Sequence, residues 1–245
     1  MSVSGSAAGE TESGTEEPSD LDIGVLRQLA GAPHGPVEFR RRLRETQQQM
    51  SSFLMEYKFA LDEVETKISI LREEFELAHE YSPIEHVKSR LKTLESLVAK
   101  VDRVGCPRDL GAIREQIRDI AGIRVSCVFV EDTYRFARML TQQQDLTVLE
   151  TKDYIANPKP NGYRSLHLII ELPVFLSDRT VHVPVEVQIR TIAMDFWASV
   201  EHQIYYKYGT HVPEHLHDKL TEVASTAADL DAQMGLLREE IRSLG

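Results

Sequence analysis

Residues 181–190 alternate strictly: Val181, Val183, Val185, Val187 and Ile189 are interleaved with His182, Pro184, Glu186, Gln188 and Arg190. A strand sends successive side chains to opposite faces, so one face is core and the other lines up a carboxylate, an amide and a guanidinium, each about 7 Å from the next. An exposed sheet face would produce the same pattern. A second carboxylate, Asp119, opens another hydrophobic strand candidate. Two acids on neighbouring strands are the usual oxygen ligands of Mg²⁺, a hard ion that completes its shell with water and substrate phosphates. That reading requires the two strands to be neighbours.

A second cluster of chemistry lies in NPKPNGYRSLH, residues 157–167. Asn161-Gly162 is a strong turn signal, and the apolar run beyond it reads as a strand, so a hairpin accounts for the turn. It does not account for Tyr163, Arg164 and His167. Charge supplies a third clue. The net charge is −11, and residues 1–22 contribute −6 of it with no Lys or Arg. Residues 86–124 instead carry nine basic against five acidic residues. A basic segment in an acidic protein suits a polyphosphate ligand, as it also suits a solvated helix face. No GxxxxGK[ST] or GxGxxG loop is present to cradle phosphate, and neither GxSxG nor HExxH occurs. If phosphoryl chemistry occurs, side-chain cations and a metal must supply its charge stabilisation. Cys106 and Cys127 are the only cysteines. Their spacing suggests neither a disulfide framework nor a thiolate metal site.

Several elements must position these groups. Residues 1–22 are small and acidic and predict a disordered tail. Residues 37–80 contain no Gly or Pro. Apolar residues recur there at Met50, Leu54, Tyr57, Leu61, Val64, Ile68, Leu71, Phe75 and Ala78, a helical stripe for one long helix or two stacked ones. Residues 85–92 combine a capping-box-like start with strand alternation and are read as a short strand, followed by a helix from near Thr93. Strands are predicted at 119–130, 146–150, 165–175 and 181–191, and helices at 134–143, 193–208 and 214–244. Helices, then a mixed β region, then helices make the class α+β. No apolar run reaches the roughly 20 residues that cross a bilayer, and no signal pattern begins the chain, so a cytoplasmic location with no membrane contact is expected.

Five stretches in this order resemble the RelA/SpoT synthetase domain: HVKSRLK (86–92), DIAGIRV (119–125), KDYIANPKPNGYRSLH (152–167), VEVQIRT (185–191) and AMDFWASVEHQIYYK (193–207). The resemblance runs over residues 81–208 and is strongest to the single-domain small alarmone synthetases. It implies a nucleotidyltransferase-like mixed sheet flanked by helices, a synthetase domain spanning 37–245, and transfer of the β,γ-pyrophosphate of ATP to the 3′-hydroxyl of GTP or GDP with release of AMP. By the same resemblance, Asp119 binds Mg²⁺, and Glu186 binds it or serves as the base. Arg90 and Arg124 stack on the adenine, which planar guanidinium groups can do. Lys92 and Lys100 neutralise ATP phosphates. Tyr163 stacks on guanine and Asn161 bonds its edge. Lys152, Lys159 and His167 face the acceptor phosphates or ribose, with Gln188 in reach.

Long relatives carry a hydrolase domain before the synthetase, and too few residues precede Tyr81 for one, so synthesis without hydrolysis is expected. Glu150, Thr151, Lys152 and Asp153 mix the charges that track acceptor preference in those relatives, which leaves GTP and GDP both open. Two alternatives compete: a related pyrophosphokinase acting on an adenine nucleotide or tRNA, and a non-catalytic nucleotide- or RNA-binding oligomer. The family resemblance implies a homotetramer, with single-stranded RNA as a candidate regulator. The stripe Leu216, Leu220, Val223, Ala227, Leu230, Met234, Leu237 and Ile241 fits such assembly and fits packing within one chain equally well.

Overall fold

The structure is a computed structural model that describes residues 36–79, 81–208 and 212–244. In chain order its elements are α1 (Pro36–His79), β1 (Ile84–Leu91), α2 (Leu94–Val104), α3 (Leu110–Gln116), β2 (Ala121–Cys127), α4 (Val130–Thr141), β3 (Thr147–Asp153), β4 (Leu166–Phe175), β5 (Thr180–Thr191), α5 (Ile192–Tyr208) and α6 (Glu214–Leu244). The five strands form one sheet in the order β1-β2-β5-β4-β3. β2 and β5 run parallel, and the other three pairs are antiparallel. The class is α+β, as the element order predicts.

One long α1 forms because nothing in it breaks a helix, and its stripe closes the hydrophobic core. Met50, Leu54, Tyr57, Leu61, Val64, Ile68, Leu71 and Phe75 are buried, whereas Ala78 is exposed near the helix end. All but Phe75 of the buried residues join a cluster with Ile123, Val125, Val185, Val187, Ile189, Leu168 and Ile170. Each aliphatic side chain fully buried there contributes about 1.5–3 kcal/mol. The inward face of the alternating segment in β5 is thus spent on α1, and its polar face is left for chemistry.

Local signals set the shorter elements. Thr93 caps α2, its Oγ1 accepting from Ser96 N at 3.3 Å, and Gly105 ends the helix with φ 68°. The short α3, capped by Asp109, has too few apolar positions to reveal itself in the sequence. β2 stops at Cys127 and α4 begins at Val130, whereas the sequence predicts a strand to 130 and a helix from 134. The unbroken apolar run of DIAGIRVSCVFV conceals that boundary, because buried strands and helix starts can both be continuously apolar. β3 runs on to Asp153, three residues beyond expectation.

α6 separates the two readings of its stripe. Val223, Leu230, Met234, Leu237 and Ile241 are exposed. The face turned towards the chain carries Leu220, Ala224, Asp231 and Arg238. Arg238 donates to Asp132 Oδ1 at 2.8 Å and to the Tyr81 hydroxyl, and its guanidinium lies 4.4 Å from the Phe129 ring centroid. A polar staple therefore holds this helix where intramolecular core packing of the stripe was one expectation. The predicted acidic tail, residues 1–22, lies outside the described residues.

Candidate active site

Strand register assembles the site. Lys88 opposes Arg124, Arg124 opposes Gln188, Gln188 opposes His167 and His167 opposes Lys152, so one row crosses all five strands. A second row runs Arg90, Gly122, Glu186, Ile169 and Glu150. Partners across a ladder share a face, and groups from Lys88 to Gln188, 100 positions apart in sequence, thereby fall on one row.

Two cavities open on this face. One, of about 320 Å³, is lined by Lys88, Ser89, Arg90, Asp119, Gly122, Arg124, Glu186 and Gln188. The other, of about 210 Å³, is lined by Glu150, Lys152, Tyr154, Lys159, His167, Ile169 and Glu186. Glu186 belongs to both. The first combines cationic planes with two carboxylates, and Arg124 Nε is buried in it without a hydrogen-bond partner among the described residues. A guest bearing an acceptor atom would satisfy that donor. The second is smaller and sets two lysines and an imidazole beside Glu150 and Glu186, with Lys152 paired to Glu150 at 3.1 Å.

The carboxylates are held in different ways. Lys92 Nζ donates to Asp119 Oδ2 at 3.1 Å. Lys100 Nζ lies 2.6 Å from Oδ1, at an angle that leaves this buried oxygen without a directed hydrogen bond. Burial pushes the Asp119 carboxyl up, and the Lys100 and Lys92 ammonium groups overcome it, keeping the acid below its ordinary value. Glu186 Oε1 faces His167 Nδ1 at 3.1 Å, and Gln188 Nε2 donates to Oε2 at 3.1 Å. Burial again works against ionisation, and the His167 and Gln188 contacts outweigh it, so Glu186 too is held below the usual carboxylate range. Two hard oxygen donors facing one cavity fit Mg²⁺, which needs only one or two carboxylates when phosphate supplies further oxygens. No group of three or more His, Cys, Asp or Glu able to hold a metal occurs among the described residues. Any Mg²⁺ here would therefore complete its shell with water and substrate oxygens.

The residues expected from the sequence fall into three groups. Arg90, Arg124, Asp119, Glu186 and Gln188 line the larger cavity, and Lys152, Lys159 and His167 line the smaller one, with Glu186 bordering both. Lys92 and Lys100 are engaged with Asp119, one step behind the cavity wall. Asn161 and Tyr163 differ most from expectation. Asn161 donates to Glu201 Oε1 at 2.8 Å and accepts from Tyr163 N at 3.1 Å, so both ends of its amide serve the loop. Tyr163 is only 8% exposed. Lys159 Nζ lies 4.6 Å from its ring centroid and the Arg190 guanidinium 5.1 Å. Its hydroxyl meets His167 Nε2 at 2.7 Å. The aromatic ring lining the smaller cavity is Tyr154.

The turn itself needs correction. Gly162 N donates to Lys159 O at 2.8 Å, which puts Pro160 at the position of a β-turn that favours proline. The two flanking strands, however, end at Asp153 and begin at Leu166, so the connection is a twelve-residue loop and no tight hairpin. Gly162 has φ 87°, and a Cβ on it would lie 2.4 Å from Ala224 Cβ. Its missing side chain makes room for α6. That helix and α5 surround the loop with a small cluster of Tyr163, Trp197, Ala198, Leu220 and Ala224, fastened by Trp197 Nε1–H donating to Leu220 O at 2.8 Å.

Ser89, Tyr154, Asp195 and Glu201 also reach the cavities or the loop, and sequence reasoning assigned them no role, whereas Glu150, read there only as part of a charge signature, lines the smaller cavity. Lys88 could have been found, since it shares a face of β1 with Arg90 at strand spacing. Asp195, which pairs with Arg124 at 3.3 Å and Arg190 at 3.1 Å, could not, because it enters from the next helix.

Residues 89–211 match the family described as the region found in RelA / SpoT proteins. The GTP pyrophosphokinase YwaC of Bacillus subtilis (strain 168) is 50% identical over 199 residues, covering 81% of this chain and 95% of that protein. The crystal structure of the small alarmone synthetase 2 from Bacillus subtilis superposes with a TM-score of 0.70 at 51% identity, covering 76% of this chain and 97% of that one. The small alarmone synthetase 1 from the same organism, bound to its product pppGpp, gives a TM-score of 0.73 at 38% identity, with 79% and 98% covered. With the motifs in order, the fold shared and both carboxylates at one cavity, the chain belongs to the RelA/SpoT family, among its small alarmone synthetases.

Proposed function

We propose that the chain is a pyrophosphokinase that transfers the β,γ-pyrophosphate of ATP to the ribose 3′-hydroxyl of GTP or GDP and releases AMP. The observation that carries this reading is Glu186 on the shared wall of two polar cavities. Such a transfer needs one site for the donor, one for the acceptor and a base between them. The 3′-oxygen attacks the β-phosphorus, the bond from that phosphorus to its bridging oxygen breaks, AMP departs with that oxygen, and Glu186 takes the hydroxyl proton.

In this reading the larger cavity holds ATP, with Arg90 and Arg124 against the adenine and Lys92 and Lys100 supplying positive charge behind the phosphates. Asp119 and Glu186 would hold Mg²⁺, which when bound neutralises phosphate charge. The smaller cavity holds the acceptor: Lys152, Lys159 and His167 meet its phosphates or ribose, and guanine reaches Tyr163 once Lys159 leaves that ring for phosphate. The relative YwaC, a GTP pyrophosphokinase, and the pppGpp-bound neighbour support a guanine acceptor. The reading places the enzyme in the cytoplasm with its nucleotides; among the described residues no helix is long and apolar enough to cross a membrane. The exposed stripe of α6 supports self-association, which we take to be the homotetramer. A gel-filtration mass of a monomer at micromolar concentration would remove that part.

The test uses purified protein, Mg²⁺, γ-labelled ATP and, separately, GTP, GDP, ADP or tRNA. Label on GTP or GDP together with AMP release is expected. Label only on ADP or tRNA would move the acceptor, and no labelled product would refute the enzyme.

A further inference from the structure

Arg190 is a charged residue only 3% exposed, on the same face of β5 as Glu186 and Gln188. Its Nε donates to Ser165 Oγ at 3.3 Å and its Nη1 to Asp195 Oδ1 at 3.1 Å. Its Nη2 donates twice, to the Tyr163 hydroxyl at 2.6 Å and to Gln188 Oε1 at 2.9 Å. A guanidinium nitrogen of this kind has two hydrogens and no acceptor. Both arms leaving Nη2 end on Glu186. One runs through Tyr163 and His167 to Oε1, the other through Gln188 to Oε2.

One direction of bonds in this ring is consistent with Arg190. With the Tyr163 oxygen accepting from Nη2, its single hydrogen is free to donate to His167 Nε2. In that arrangement a neutral His167 carries its hydrogen on Nδ1 and donates it to Glu186. Because Gln188 Oε1 accepts from Nη2, its amide nitrogen turns to Glu186. The two carboxylate oxygens thus each accept one bond from a chain whose polarity is set at one buried nitrogen.

We infer that Arg190 is a positioning residue for Glu186, orienting the carboxylate through a closed hydrogen-bond ring that passes through Tyr163 and Gln188. The inference rests on Glu186 being the base of the proposed reaction. Its consequence is a link between the two halves of the site. Tyr163 belongs to the acceptor loop, so the arm that reaches Glu186 Oε1 is complete only when that loop is folded, whereas the Gln188 arm lies within β5. A misplacement of a reacting group by about 1 Å can cost around 100-fold in rate, so an unaimed carboxylate would be a weak base.

Three variants test the ring. Tyr163→Phe keeps the ring face but cuts one arm, Gln188→Met cuts the other, and Arg190→Met cuts both. Each single cut should lower kcat about 10- to 100-fold, the range for groups that orient a reactive ligand from behind, with acceptor KM within about threefold for Tyr163→Phe. Adding Arg190→Met to the Tyr163→Phe/Gln188→Met double variant should cost less than about threefold more, because residues acting as one unit are non-additive. A raised acceptor KM at unchanged kcat in Tyr163→Phe, or an independent loss from Arg190→Met, would overturn the inference. A second readout needs no turnover. In ¹⁵N-labelled full-length protein at about pH 8.5, two units above the ordinary imidazole value, the His167 ring should show hydrogen on Nδ1. Assignment comes from the resonance missing in His167→Gln. Hydrogen on Nε2 would refute the ring even in an active enzyme. The correct tautomer with no turnover on any acceptor would instead refute the proposed reaction alone.

Discussion

Gly162→Ala should pry the acceptor loop from α6, and Ala224→Gly in the same chain should let it return. Gly162 sits at φ 87°, where an L side chain is strained by about 1–2 kcal/mol. The new Cβ would also stand 2.4 Å from Ala224 Cβ, against about 3.5–4.0 Å for carbons in contact. Overpacking of that kind costs roughly 1–3 kcal/mol, which brings the single variant to about 2–5 kcal/mol. Ala224→Gly alone costs about 1 kcal/mol as a glycine inside a helix. In the double variant the nearest remaining obstacle is Ala224 Cα at 3.9 Å, an ordinary contact. The clash disappears, and backbone strain and helix glycine leave about 2–3 kcal/mol. The two changes should therefore couple by about 1–3 kcal/mol in the favourable direction. Urea unfolding at one protein concentration, followed by the single tryptophan, Trp197, reads the effect where it occurs, since that ring is buried in the same cluster. Acceptor KM should rise in Gly162→Ala and recover partly in the double variant. Additive free energies within about 0.5 kcal/mol would show that loop and helix are not pressed together here.

Glu186→Gln should lower kcat by about 100- to 10,000-fold, the usual contribution of a positioned base, while the dissociation constant for a non-hydrolysable ATP analogue changes little; near-normal turnover would remove Glu186 from the chemistry. Arg238→Met should destabilise the chain by about 3 kcal/mol because it strands the Asp132 carboxylate, which is 1% exposed, without its cation. Adding Asp132→Asn should return part of the loss, and an unchanged melting temperature in Arg238→Met would show the staple to be idle. Burial raises the Asp231 carboxyl above its ordinary value despite a 2.8 Å hydrogen bond from Thr191. A group whose folded value is raised binds more protons when folded, so its ionisation costs stability as pH climbs past the unfolded value of about 3.9 and through the folded one. Asp231→Asn should consequently raise the melting temperature at pH 7, with the gain shrinking as pH falls towards 4. A gain independent of pH would point to packing instead.

Much of this protein was readable before any fold was known, for reasons that are local. Strand periodicity is a property of the backbone, so the alternation of β5 separated the core residues Val183, Val185, Val187 and Ile189 from Glu186, Gln188 and Arg190 without a structure. The stripe of α1 was equally plain, because 3.6-residue periodicity marks the face that must be buried. Motif order then carried the family. Tertiary structure decided what these faces meet. Pairing of β2 with β5 brought the turn before β2, which carries Asp119, to the same cavity as Glu186. The tertiary structure also showed Lys92 and Lys100 restraining Asp119, Tyr163 built into the loop's own packing, and Gly162 making room for Ala224 of α6, 62 residues later. No spacing rule reaches such facts. A periodic pattern fixes the direction in which a side chain leaves its own strand or helix, whereas its partner is set by loop closure, register and the packing of elements that the chain brings together only once it has folded.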